Sequence, residues 1–423
     1  MRKESPKSAL EAAQIVRKYV HFDVPLSKSA CAKLVADPVA VSRHAFYPFL
    51  RHDIIRTKLK RGGSGKIVKS SKIREIRYAA HADAAIYSYY NFLLMEKYER
   101  CLEASHLSEN VTAFRSLSKS NVDFAKEVFD WIGGQRPCIA LGFDVRDFFG
   151  TLDHLLLKRS WCSILGMPSL PQDHFAVFKS LTKHASVELI AARKALGITR
   201  SRLDKISRLC DSSNFRSIIR GKNLVFVNNS ARGIPQGSPI SAALSNMYMF
   251  EFDNKIKAVV ESLGGLYRRY CDDILVVMPD VEDIEHQVSQ LIESSLKELN
   301  LSIQESKTLI CRFDSEGCDV PLQYLGLVYD GKRIFLRPSG VARFYIKMRR
   351  GVKQFKCAKR MDGGTALLVQ RRRKLINRYT EHTPSRGRSY FKYVKMAAKK
   401  TNSDAIRSQL KSSRKRLKAL IEK

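Results

Sequence analysis

Residues 266–278, LYRRYCDDILVVM, constrain the fold more than any other stretch of this chain. Two strand-like halves meet at a polar centre, which reads as a β-hairpin with Cys271 and Asp272 at the turn. The acidic pair Asp272 and Asp273 leads straight into the apolar run 274–278, and like charges held side by side repel unless a cation sits between them. A second apolar run, 137–145, interrupted by Gly142, reads as a buried strand and contains Asp144 near its end. Carboxylates at the ends of adjacent strands can converge. Oxygen ligands from separate elements are what two Mg²⁺ ions about 4 Å apart require for phosphoryl transfer. Taken singly, each motif is also explained as a polar turn or a strand-end cap.

The order of the remaining elements narrows the architecture. Residues 83–101 carry apolar and aromatic side chains at helical spacing, and 148–165 read as helix. The stretch 154–229 is mostly helical in pattern and ends in a short strand near 224–227. From Ser238 onward, Ile240, Leu244, Met247, Tyr248 and Ile256 recur at three- and four-residue steps, as on one amphipathic helix. A helix over 281–299 and a strand near 307–312 follow. Upstream, KLKRGGSGKIVKSSK (58–72) reads as a mobile basic loop or hairpin tip. The order strand, helix, helical insertion, helix, hairpin, helix, strand predicts an α+β fold of the split βαβ type, with helices on one face of the sheet.

Composition separates two kinds of chain within the 423 residues. Lys and Arg number 75 against 41 Asp and Glu, a net +34, and 44% of residues are hydrophobic, enough for a sizeable core. From Gly331 to the end there are 29 Lys and Arg against 4 Asp and Glu, which leaves 46 against 37 before it. The last 93 residues are thus a polycation, for which nucleic acid is the first partner and an anionic membrane surface the second. No apolar run approaches the roughly 20 residues of a membrane helix, and the N-terminus has no signal-peptide core. Nine scattered cysteines without a CxxC pair point to reduced thiols and a cytoplasmic protein.

At this point the motifs carry a resemblance. FDVRDFF (143–149), GIPQGSPIS (233–241), YCDD (270–273), LNLSIQESKT around Lys307 and YLG (324–326) resemble motifs A to E of the reverse transcriptases, in order and at suitable spacing. The basic loop followed by Ile73, Arg74, Glu75, Ile76 and then Asp83 is similar to the fingers motifs of that family. The resemblance implies a right-hand polymerase: an N-terminal region and fingers over 1–136, a palm with a helical insertion over 137–330, and a basic helical thumb-like region over 331–423. It implies Asp144, Asp272 and Asp273 as catalytic residues and ligands of two Mg²⁺ ions. For the deoxynucleoside triphosphate it implies Lys69, Lys72, Arg74, Gln236, Gly237 and Lys307, with Phe149 as a gate against a ribose 2′-hydroxyl. Tyr324, Leu325 and Gly326 would form the primer grip. Phe149 also reads as a core aromatic, and the two lysines as a solvated strand.

No RNase H domain and no Cys/His-rich endonuclease segment is legible, and the NAxxH-type and VTG signatures of retron enzymes are absent. Residues 83–99 and 112–129 are more similar to the bacterial defence-associated reverse transcriptases, type 2 among them. That likeness implies a noncoding RNA template, a DNA product held as an RNA–DNA hybrid, and antiphage function. In the tail, Arg371, Arg372, Arg373, Lys374, Arg386 and Arg388 are candidate nucleic-acid contacts. Tyr345, Phe355, Tyr379, Tyr390, Phe391 and Tyr393 interleave with them as stacking platforms or as thumb core. A last helix over 403–421 places Ile406, Leu410, Leu417 and Ile421 on one stripe. Rival expectations are a retron-like, template-independent or protein-primed polymerase and an RNA-binding scaffold with a vestigial palm.

Overall fold

The computed structural model describes residues 6–61, 67–361, 366–381 and 389–422. A long antiparallel hairpin, β1 (Phe49–Arg61) and β2 (Ile67–Tyr78), leads into α1 (His81–Ala104). Ala80 offers α1 no side-chain cap, and Asp23 replaces it, accepting from the amides of His81 and Ala82 at 2.9 Å each. Helix α2 (Asn121–Gly134) opens on a capping box between Ser120 and Asp123, and β3 (Cys138–Asp144) follows. Next come α3 (His154–Leu165), β4 (Ala185–Glu188), β5 (Phe226–Val227), α4 (Ser241–Tyr248) and α5 (Phe250–Ser262). The hairpin β6 (Leu266–Tyr270) and β7 (Asp273–Pro279), α6 (Ile284–Glu298) and β8 (Leu309–Phe313) complete the central unit. A small meander of β9 (Leu322–Tyr324), β10 (Leu327–Tyr329) and β11 (Ile334–Leu336) precedes α7 (Pro338–Met361), α8 (Ala366–Tyr379), α9 (Tyr390–Thr401) and α10 (Ser413–Glu422).

The strands form three sheets, ordered β2-β1-β4-β5, β6-β7-β3-β8 and β11-β10-β9. In the second sheet β3 lies between β7 and β8, antiparallel to both. Its unbroken apolar character has a simple cause in the period of two. Ile139, Leu141 and Phe143 join one core with Ile274, Val276 and Met278 of β7, and Cys138 and Ala140 join a second with Leu275 and Val277. The first core takes in α1, α3, α4, α5 and α6, and the second α2 and the C-terminal helices α7 to α10. The expectation of helices on one face is therefore corrected: both faces are covered, the second by α2 together with the basic tail.

Three expected helices are broken. Residues 148–165 divide at Leu152, because Asp153 turns out to cap α3, accepting from Leu155 N at 2.9 Å and Leu156 N at 3.2 Å. The helix expected from Ser238 ends at Met249, whose amide reaches back only three residues to Asn246 O, closing α4 before α5 begins. The final helix splits into Asp404–Ser408 and α10, although Ile406, Leu410 and Leu417 are buried as the stripe requires. The mostly helical stretch also hides β4, which pairs parallel with β1 through Phe49 and Ser186. All nine cysteines are free, and among the described residues no helix is long and apolar enough to cross a membrane.

Candidate active site

The β3–β7 register sets Asp144 directly opposite Asp273 at the open end of the second sheet. Tyr270 and Asp273 close the β6–β7 hairpin, leaving Cys271 and Asp272 as its turn, with Cys271 at φ +61. The turn is tied to the next strand end, since Val145 N donates to Asp272 O at 3.1 Å. Three carboxylates thus share one strand edge. The tip of Asp273 is open to solvent, yet the protein packed around its carboxyl disfavours the charged form, and the neighbouring charges of Asp272 and Asp144 add to this, so its pKa rises to about 6. Lys307, on a short 3₁₀ turn at Glu305–Lys307, places its ammonium against Asp144 Oδ1, and Gln304 N donates to Asp144 O at 2.7 Å.

The donor chemistry suits a hard divalent cation: three carboxylates whose mutual repulsion is relieved by positive charge, one of which already holds an ammonium. The side chains are not, however, drawn together as a finished cage. Among the described residues no three His, Cys, Asp or Glu are close enough to hold a metal ion.

The other expected positions fall around this edge in different ways. Gly237 has φ +115, and a Cβ there would lie 2.8 Å from Arg77 O and 2.9 Å from Ile76 Cγ2. The close approach that requires this glycine is to β2, and Gln236 O accepts from Arg77 N at 2.8 Å in the same contact. Lys72 and Arg74 are exposed on the face of β2 that also carries Ile76, so alternation directs them towards the 233–241 loop. The side chain of Lys69 lies outside the described residues. Phe149 is half-buried against the first core, 5.7 Å from Phe148 between ring centroids, and its carbonyl accepts from Ile234 N at 2.9 Å. Asp147, which the sequence does not single out, takes the left-handed conformation at φ +42, and its pKa is raised by burial against the opposing pull of Lys72.

Leu325 and Gly326 form the two-residue turn between β9 and β10, with φ +45 and +93, the type I′ geometry that favours glycine at its second position. Tyr324 beside it is buried, and burial followed by the charge of Asp273 raises its pKa. Arg371, Arg372, Arg373 and Lys374 are all exposed on α8, whereas Arg386 and Arg388 lie outside the described residues. The aromatic residues of the tail turn inward. Phe344 packs against Tyr345, Tyr379, Tyr390 and Phe391 at centroid distances of 5.3, 5.5, 5.4 and 5.8 Å, and Phe355 is 9% exposed. Phe355 and Tyr379 take the core alternative, whereas Tyr345, Tyr390, Phe391 and Tyr393 are packed against that core but only partly buried.

A layer beneath the turn escaped the sequence altogether. Arg269 of β6 and Asp253 of α5 form a fully buried, two-pronged ion pair, joined by Tyr267 and Asn246. The only signal for it is an arginine at an inward position of a strand.

Residues 186–329 match the family model described as reverse transcriptase (RNA-dependent DNA polymerase). That stretch is similar to the reverse transcriptases. More particularly, 55 residues are 38% identical to the retron Mx162 reverse transcriptase of Myxococcus xanthus, and the match covers 13% of this chain and 11% of that protein. Among solved structures, apo telomerase of Candida tropicalis lacking its C-terminal domain is similar over 67% of this chain and 54% of that one, at 12% identity and TM-score 0.42. Telomerase of Candida albicans with a fragment of telomeric RNA is similar over 93% and 69% of the two chains, at 12% identity and TM-score 0.41.

Proposed function

We propose that this chain is an RNA-directed DNA polymerase, with the right-hand arrangement of fingers (1–136), palm (137–330) and a basic thumb-like region (331–423). The observation that carries the reading is the facing of Asp144 and Asp273 across β3 and β7, with Asp272 on the adjoining turn, in a chain whose residues 186–329 match the reverse-transcriptase model. The sheet order β6-β7-β3-β8 supports the palm, since it is what a split βαβ unit produces.

In this reading a primer 3′-hydroxyl attacks the α-phosphate of a deoxynucleoside triphosphate and pyrophosphate leaves. Two Mg²⁺ ions, when bound, activate the hydroxyl and offset charge on the leaving oxygens. Asp144 and Asp272, with Asp273 beside them, would hold the ions. Lys307, whose ammonium lies against Asp144, offsets charge on the departing pyrophosphate, and Arg74 and Lys72 bind the triphosphate. Gln236 and Gly237 position the nucleotide against the template, while the ring of Phe149 disfavours a ribose. The Leu325–Gly326 turn, with Tyr324, holds the primer end. Arg371, Arg372, Arg373 and Lys374 contact the RNA or the RNA–DNA hybrid. We further propose a noncoding RNA as template and a role in bacterial antiphage defence, in the cytoplasm.

Purified protein with a primed RNA template, Mg²⁺ and labelled deoxynucleotides should make DNA, and Asp272→Ala with Asp273→Ala should abolish it. Synthesis persisting in the double variant would sink the assignment. Sequencing the nucleic acid that co-purifies with the protein identifies template and product together, and phage plating on cells carrying the same double variant tests the defence role.

A further inference from the structure

Arg269 has no exposed surface, and a guanidinium buried this way is strongly destabilising unless its donors are satisfied. Nε and Nη2 donate to Oδ1 and Oδ2 of Asp253, each at 2.6 Å. Nη1 then divides between Asn246 Oδ1 and the backbone carbonyl of Cys271, at 3.1 Å each. The cradle around the guanidinium is itself fixed. Tyr267 donates its hydroxyl to Asp253 Oδ1 at 2.5 Å, and Asn246 Nδ2 donates to Ala113 O at 2.9 Å, which aims its carbonyl oxygen at Arg269. The backbone of Arg269 is clamped by Asn110 O and Thr112 N at 2.7 and 3.0 Å.

An ion pair serving the core alone would end at Asp253. Here one prong leaves the pair and reaches the carbonyl of Cys271, the residue immediately before Asp272. Cys271 is left-handed, at φ +61, a conformation that strains a non-glycine residue and persists only where its surroundings hold it. The peptide carbonyl on its C-terminal side is held by the guanidinium, and that of Asp272 by Val145 N at 3.1 Å. Together these two bonds pin both peptides of the turn that carries the acidic pair.

We infer that Arg269 is a positioning residue: through the Cys271 carbonyl it sets the orientation of the turn and hence of the Asp272 and Asp273 carboxylates, a role that rests on the polymerase reading above. Residues far from any substrate can matter in this way because small displacements of reacting groups cost large factors in rate.

The test removes the pair as a unit. Replacing Arg269→Met together with Asp253→Leu takes both charges out of the core, an exchange that buried ion pairs often tolerate. A second variant, Arg269→Lys, keeps a charge opposite Asp253 but has no fork to span both Asp253 and the Cys271 carbonyl. Both are expected to unfold cooperatively and to keep the primer–template Kd and the KM for deoxynucleotide within about twofold, while kcat falls at least about tenfold. Mn²⁺ binding measured by electron paramagnetic resonance should weaken in step, a readout that needs no synthesis. If the double variant does not fold, the lysine variant decides alone. Unchanged kcat and Mn²⁺ affinity overturn the proposal, as does a loss spread equally over Kd, KM and kcat, which is the mark of general loosening. A wild-type chain that neither binds Mn²⁺ nor makes DNA overturns the polymerase reading instead, and this proposal falls with it.

Discussion

At Gly237 the backbone, at φ +115 with Arg77 O in the way of any side chain, leaves no room for alanine. Gly237→Ala should destabilise the protein by about 1–3 kcal/mol through backbone strain, read as a lowered denaturant midpoint, and should loosen the contact between the 233–241 loop and β2. Two histidines set a pH limit. His21 is buried, its Nε2 donating to Tyr78 O at 3.3 Å while Nδ1 accepts from Phe22 N at 2.8 Å, so a second ring proton would face another N–H. Burial lowers its pKa to about 3, and that of His184, whose Nδ1 meets Leu181 O, to about 4. Both must therefore stay neutral in the fold. Their contribution is intact above the unfolded value near 6.5 and is lost progressively as pH falls from there, towards about 4 for His184 and about 3 for His21. The unfolding midpoint should decline over that window, and His21→Gln should flatten the decline; an equal slope in the variant would exclude His21 as the cause.

At the scale of elements, the carboxylate edge was legible because its signals are local. An unbroken apolar strand that terminates in aspartate, and a hairpin whose turn leads into an acidic pair, are both written in neighbouring residues. Helix breaks at Leu152, Met249 and Gln409–Ser412 were not, since each is made by a cap or a turn that the apolar stripe runs straight through. The tail's aromatics were ambiguous for the same reason: their spacing fits a core as well as a binding face. The joint between α2 and α9 shows how a cap is shared across elements. Asp123 closes the capping box of α2 and also accepts from Lys400 Nζ at 2.6 Å. Asp123→Ala should lower unfolding free energy by about 1–2 kcal/mol, the usual loss of an N-terminal cap, and speed protease cleavage in the C-terminal helices; unchanged cleavage would show that the apolar contacts alone dock them.

Across the whole molecule, charge and core are interleaved. One apolar cluster runs from Val122 through β3 and β7 to Leu417, so deleting residues 331–423 would strip a face of the central sheet as well as removing cations. The salt dependence of RNA binding is better tested by changing exposed charges on α8. Arg371→Gln, Arg372→Gln, Arg373→Gln and Lys374→Gln together should leave the unfolding midpoint unchanged. The same set should reduce the slope of log affinity against log salt by about 0.7–0.9 for each phosphate that these side chains no longer neutralise. An unaltered slope would place RNA binding elsewhere on the basic surface.

The α+β class, the acidic strand ends, the order of the motifs and the asymmetry of charge were all determined by the sequence alone, because each depends on residues close together in the chain or on simple sums along it. Which rings became core, which glycine faces β2, and which arginine lies beneath the Cys271–Asp272 turn were decided only by the tertiary structure. Those outcomes depend on partners far apart in sequence: Arg77 against Gly237, Asp253 and Asn246 against Arg269. No local pattern encodes a pair whose members meet only once the sheet has closed.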